Sequence, residues 1–163
     1  MTREKTLLAL LETHGDVLWR IARAYAASVG ETDDLHQEIV AQVWRSLPSF
    51  RGDSKVATWL YRVAVNTALT WQRRMKRHGT GRVPLEPALE QDGAGSRGSA
   101  RSEAAILRDF LQTLKGPDHT VILLYMEGLS YQEIADVTGL SVSLVGVRIH
   151  RMKQAFTDRY VEQ

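Results

Sequence analysis

Apolar residues recur along this chain at intervals of three and four, and no sustained alternation of apolar and polar positions develops. That spacing lines side chains along one face of a helix, so the pattern predicts an all-α protein. In the first half, Leu7, Leu10, Leu11, Leu18, Ile21 and Tyr25 trace a buried stripe, with a bend expected at Gly15 and a stop at Gly30. Thr32 is the expected cap of a second helix, whose positive end Asp33 and Asp34 favour. That helix runs through Leu35, Ile39, Val43 and Trp44 until Pro48 ends it. Phe50, Arg51, Gly52 and Asp53 then form a loop. Ser54 is the expected cap of a long third helix carrying Trp59, Leu60, Val63, Ala64, Thr67 and Trp71, which closes in the basic run Gln72-Arg73-Arg74-Met75-Lys76-Arg77.

The most specific pattern lies from Ser130 to Lys153, SYQEIADVTGLSVSLVGVRIHRMK. Ser130 and Glu133 have capping-box spacing. Ala135 is small enough for a close helix crossing, and Gly139 suits a left-handed turn residue. Ser141 can cap the next helix, which begins at about Val142 and turns Val145 and Ile149 into the crossing. This is the outline of a helix-turn-helix, with Arg148, His150, Arg151 and Lys153 along its second helix. The same outline also describes a plain pair of packed helices with a basic solvated face.

Between the halves the character changes. Residues 79–102 are rich in glycine and include Pro84 and Pro87, which predicts a flexible linker between a domain at 1–78 and a domain at 103–163. At 163 residues and 44% apolar, the chain has ample material for packed cores. No apolar run approaches membrane-spanning length, and no secretory core follows the charged start. The absence of cysteine rules out disulfides and thiolate metal sites. His14, His36, His78, His119 and His150 are scattered without zinc-like pairing, and no nucleophile-base pair or phosphate-binding glycine loop is present. A non-enzymatic protein without cofactor or metal is therefore expected. The net charge of +2 is modest, so affinity for nucleic acid must come from local clustering.

Two surfaces in the first half invite a choice. Asp33, Asp34, Gln37 and Glu38 make an acidic face that is either merely solvated or a protein-binding surface. Around the third helix, Phe50, Arg51, Lys55, Trp59, Tyr61, Arg62 and Trp71 interleave rings with cations. Such rings either build the core or stack on unpaired bases, and Tyr61 with Arg62 is expected outside the face that buries Leu60 and Val63.

Together these segments resemble a family. DDLHQEIVAQVWRSLPSFRGDSKVATWLYRVAVNTA is similar to the second conserved region of bacterial extracytoplasmic-function sigma factors, and LQTLKGPDHTVILLYMEGLSYQEIADVTGLSVSLVGVRIHRMKQ to their fourth. The resemblance covers nearly the whole chain and implies a detachable, cytoplasmic specificity subunit of RNA polymerase. It implies that Asp34, Leu35, Gln37, Glu38, Val43 and Trp44 dock on the clamp helices of the largest polymerase subunit. The loop around Phe50, Arg51, Ser54 and Lys55, with Trp59, Tyr61, Arg62 and Asn66, would capture the opened −10 element, Asn66 being the best candidate for a polar base contact. Ser141, Ser143, Leu144, Val147, Arg148, Arg151 and Lys153 would meet the −35 duplex, with Arg148 and Arg151 as phosphate anchors. An anti-sigma partner is also implied.

The chain departs from the family pattern at Leu144, Gly146 and Val147, where Thr, Lys and Ser are common. Either a more apolar −35 preference or a weaker dependence on that element would follow. Val56 and Ala57 likewise replace the aromatic and basic residues often found there. In the linker, Glu86, Glu90 and Asp92 either mimic nucleic-acid charge inside polymerase or ride on a passive tether. Two rival functions share the helix-turn-helix: a dimeric duplex-binding regulator that needs no polymerase, and a decoy that occupies an inhibitor.

Overall fold

A computed structural model of the chain describes residues 1–78 and 102–162. Of the expected linker, residues 79–101, with its acidic residues, lie outside the described residues, while Ser102 caps the helix that follows. The chain divides into two compact units, and the described residues contain helices and no strand.

The first unit packs three helices against one another: α1 (Arg3–Tyr25), α2 (Val29–Ser46) and α3 (Val56–Arg77). Its core consists of Leu18, Ile21, Ala22 and Tyr25 from α1, Leu35, Ile39 and Val43 from α2, and Leu60, Tyr61, Ala64, Val65, Ala68 and Trp71 from α3. Helix α1 runs unbroken through Gly15, because an isolated glycine weakens a helix without ending it. Leu7, Leu10 and Leu11 are only half-buried, so the tightest part of the core lies toward the C-terminal end of α1.

The first boundary also differs from expectation. Helix α1 stops at Tyr25, and Ser28, not Thr32, caps α2 by accepting the Glu31 amide at 3.2 Å. Glu31 returns the favour by accepting the Ala27 amide at 2.9 Å, so the Ser28–Glu31 spacing acts before Thr32 is reached. Gly30 therefore lies inside the first turn of α2. Thr32 is buried instead, its hydroxyl donating to the Ser28 carbonyl at 2.9 Å. Pro48 sits in a 3-10 turn, Leu47–Ser49, immediately after α2, as its missing amide requires. At the start of α3 the cap position falls on Lys55, whose side chain makes no capping hydrogen bond, and Ser54 is half-buried in the preceding loop.

The second unit comprises α4 (Glu103–Thr113), α5 (Pro117–Met126), α6 (Tyr131–Thr138) and α7 (Val142–Tyr160). Helices α5, α6 and α7 pack mutually over Val121, Leu124, Ile134, Val137, Val145, Ile149 and Met152. Phe110 of α4 joins this core through an edge contact with Phe156 of α7, centroids 5.2 Å apart.

The turn between α6 and α7 follows its sequence closely. Ser130 accepts the Glu133 amide at 3.1 Å while Glu133 accepts the Ser130 amide at 2.8 Å. Gly139 closes α6 in the left-handed region at φ 78°, with its amide bonded to the Ala135 carbonyl. Ser141 then caps α7 by accepting the Leu144 amide at 3.1 Å. Capping, left-handed turn and recapping fix the angle at which α7 leaves the core.

Candidate nucleic-acid and polymerase interfaces

Helix α7 buries Val145, Ile149 and Met152 and exposes Ser143, Val147, His150, Arg151 and Gln154 on the opposite side. Val147 is 44% exposed, an apolar side chain facing water on an otherwise polar strip. The N-terminal part of such a strip is the part that reaches base edges when a helix of this kind enters the major groove. Ser141 is committed to its cap and Leu144 is half-buried, so Ser143 and Val147 are the expected contacts best placed to face a partner.

The cations of α7 are not equivalent. Arg151 is exposed on the outer strip. Arg148 instead turns toward α5, where its Nη1 donates to Asp118 Oδ1 at 2.6 Å. Lys153 stands over the Tyr125 ring at 4.7 Å, and its hydrogen bond to Tyr125 raises its pKa. It lies at the edge of an apolar groove of about 370 Å³ lined by Leu107, Phe110, Ile122, Met126 and Phe156. Arg148 and Lys153 thus leave the strip on opposite flanks of α7. The resemblance implies both at the duplex; in this structure Arg148 engages Asp118 and Lys153 engages Tyr125.

Packing does not require a glycine at position 146. A methyl added there would meet the Tyr131 ring at 3.4 Å, an ordinary contact. Gly146→Ala is therefore expected to raise the stability of the second unit by up to about 1 kcal/mol through helix propensity. Thermal unfolding checks this; a lower melting temperature would show that the Tyr131 ring needs the gap.

In the first unit, the surface of α2 separates into two kinds of residue. Asp34 and Gln37 are exposed, and Glu38 is half-buried with Arg45 at 4.0 Å. Leu35 and Val43, expected among the partner contacts, are 0% exposed and pack in the core of the unit, where they hold α2 in place. Trp44 is half-buried, with the Arg3 guanidinium 3.9 Å from its ring centroid and also donating to its carbonyl. Trp19, 37% exposed on α1, meets the edge of the His36 ring. Burial lowers the pKa of His36, with the nearby Asp33 opposing that shift.

Helix α3 contains no acidic residue and ends in exposed Arg73, Arg74, Lys76 and Arg77. At its other end, Phe50 and Trp59 pack with centroids 4.9 Å apart, both half-buried, next to exposed Arg51 and Lys55. Asn66 is exposed and Arg62 half-buried. Tyr61, however, is only 9% exposed and belongs to the core, against expectation. The buried stripe of α3 follows Leu60, Tyr61, Ala64, Val65, Ala68 and Trp71, with Val63 only half-buried, so it is rotated toward Tyr61.

Comparison with known proteins matches these two units to two family models, Sigma-70 region 2 over residues 10–78 and Sigma-70, region 4 over residues 104–156. The RNA polymerase sigma-H factor of Pseudomonas aeruginosa is 35% identical over 159 residues, 91% of this chain and 82% of that protein. The ECF RNA polymerase sigma-E factor of Escherichia coli is 31% identical over 141 residues, covering 80% and 74%. This chain belongs to the ECF family of RNA polymerase sigma factors. Sigma factor YlaC of Bacillus subtilis is 33% identical over 124 residues, 74% of this chain and 72% of that one. Among solved structures, CnrH in complex with the cytosolic domain of CnrY aligns with a TM-score of 0.68 at 27% identity, covering 95% and 87%. RpoE of Bartonella quintana, solved with the anti-sigma factor NepR, shares the fold at a TM-score of 0.70 and 18% identity, covering 98% of each chain.

For this sigma factor, residue-by-residue reading of the sequence overlooked Gln154 on the outer strip of α7. The spacing Ser143, Val147, His150 or Arg151, Gln154 is itself a helical face and was available as a signal. It also overlooked Arg3 and Trp19 beside α2, for which no pattern in the sequence gave a cue.

Proposed function

We propose that this sigma factor binds core RNA polymerase through the acidic side of α2, with Asp34, Gln37 and Glu38 as contacts and Trp44 at its edge. Residues 1–78 form the unit that also captures the opened −10 strand, using Phe50, Arg51, Lys55, Trp59, Arg62 and Asn66. Residues 103–163 read the −35 duplex through Ser143, Val147 and Arg151. The linker 79–102 joins the two. The protein performs no chemistry of its own: it selects the start site, and polymerase makes the bonds. It works in the cytoplasm, and an anti-sigma partner holds it off polymerase, a reading supported by RpoE of Bartonella quintana, a neighbour of the same fold solved with the anti-sigma factor NepR.

The observation that carries this reading is the division of charge in the first unit. Helix α2 presents Asp33, Asp34 and Glu38, whereas α3 has no acid and carries exposed cations beside the Phe50–Trp59 pair. One face therefore suits a protein and the other suits unstacked bases and phosphates. A duplex-binding regulator needs no such second face.

The test is transcription in vitro with purified core polymerase and a randomised promoter library. Transcript starts downstream of a shared pair of sequence elements are expected. Absence of both transcription and core binding would sink the reading.

A further inference from the structure

We infer that Asp118 serves as a built-in substitute for a DNA phosphate, holding the Arg148 guanidinium and thereby lowering the sequence-independent affinity of α7 for duplex DNA. The inference rests on the proposal that α7 meets duplex.

Asp118 lies in the first turn of α5, directly after Pro117, where the helix dipole favours a carboxylate. It accepts from Arg148 at 2.6 Å across 30 residues of sequence, at the short end for a charge-assisted bond between guanidinium and carboxylate. Phosphate and carboxylate offer a guanidinium the same pair of acceptor oxygens, so each is a competitor for the other. The carboxylate has the advantage of being tethered, which makes its effective concentration high whatever the DNA concentration.

The location of the pair makes the competition real. The side chains of Arg148 and Asp118 are 29% and 40% exposed, so the bridge sits at the rim of the unit and not in its core. Arg148 follows Leu144 by one turn and precedes Arg151 by three residues, which puts it on the flank of the exposed strip. Its Nε is shielded from solvent and has no hydrogen-bond partner among the described residues, so the side chain is not satisfied by its present arrangement. A phosphate approaching that flank would find a guanidinium of the right shape already engaged.

The functional consequence concerns specificity. Each phosphate contact strengthens binding to every sequence alike, and a genome offers a vast excess of wrong sites. Masking one cation on the recognition helix weakens that background while leaving Ser143 and Val147 to discriminate.

The experiment uses the full-length chain and a labelled mixed-sequence duplex, titrated by anisotropy at several salt concentrations. Asp118→Asn is expected to bind several-fold more tightly at low salt and to steepen the slope of log K against log salt by about 0.9, the signature of one added phosphate contact. Asp118→Ser, which also lacks the charge, should do the same. Asp118→Glu should keep the wild-type slope. Adding Arg148→Gln to Asp118→Asn should cancel the gain.

Unchanged or weaker binding by Asp118→Asn and Asp118→Ser, at the wild-type slope, would overturn the inference and leave the bridge as a structural tie. A gain that survives Arg148→Gln would also overturn it, since general charge and not Arg148 would be responsible. Arg151→Ala separates the two levels of the argument. If it weakens binding while Asp118→Asn does nothing, only the masking idea fails. If Arg151→Ala and every other variant bind alike, the duplex-binding role of α7 fails with it.

Discussion

Leu35→Ala is expected to destabilise the first unit by about 2–5 kcal/mol, the range for truncating a buried leucine. Leu35 is 0% exposed on α2, the helix that packs against both α1 and α3. Removing its isobutyl group loses transfer free energy and leaves a cavity that three crossing helices cannot fully close. Urea unfolding followed by tryptophan fluorescence checks the magnitude. Polymerase binding by the variant should weaken only as far as the unit unfolds, and cooling or lower urea should restore it. A fully stable Leu35→Ala protein that no longer binds polymerase would mean that α2 turns this residue outward in the complex.

Glu38→Lys has the opposite expected profile. Glu38 and Arg45 are 4.0 Å apart, with side chains 35% and 57% exposed, so their mutual attraction is screened and contributes at most about 1 kcal/mol. Stability should therefore hardly change. Polymerase affinity should fall by at least about tenfold, because a like-charge contact at a complementary interface costs several kcal/mol. Titration of labelled protein with core polymerase measures this, and promoter-directed transcription should be lost in parallel. Duplex binding by the second unit should be unaffected. Undiminished binding of polymerase by Glu38→Lys would remove the acidic face of α2 from the docking surface.

The contrast between these two variants bears on how the functional residues are read. Asp34, Leu35, Gln37, Glu38, Val43 and Trp44 stand together in the sequence, and nothing in their order separates those that touch a partner from those that support the helix. Burial separates them: Leu35 and Val43 face inward, while Asp34 and Gln37 face out. The same holds for Tyr61, whose ring and hydroxyl suit a base contact but which sits in the core.

The sequence by itself determined the helical character of the chain, its division into two units, and the turn between α6 and α7. These are local matters. Periodicity selects helix, and the Ser130–Glu133 box, Gly139 and Ser141 satisfy backbone groups within a few residues of themselves. Where two local signals competed, as at Ser28 and Thr32, sequence reading chose the wrong cap, because only the packed structure shows that Thr32 is buried. Tertiary structure alone decided the destinations of the long side chains. Arg148 reaches Asp118 across 30 residues, Lys153 reaches Tyr125, and Arg3 reaches Trp44. A flexible cation on a helix sweeps a wide arc, and its final partner is set by whichever acid, ring or carbonyl another helix brings within that arc.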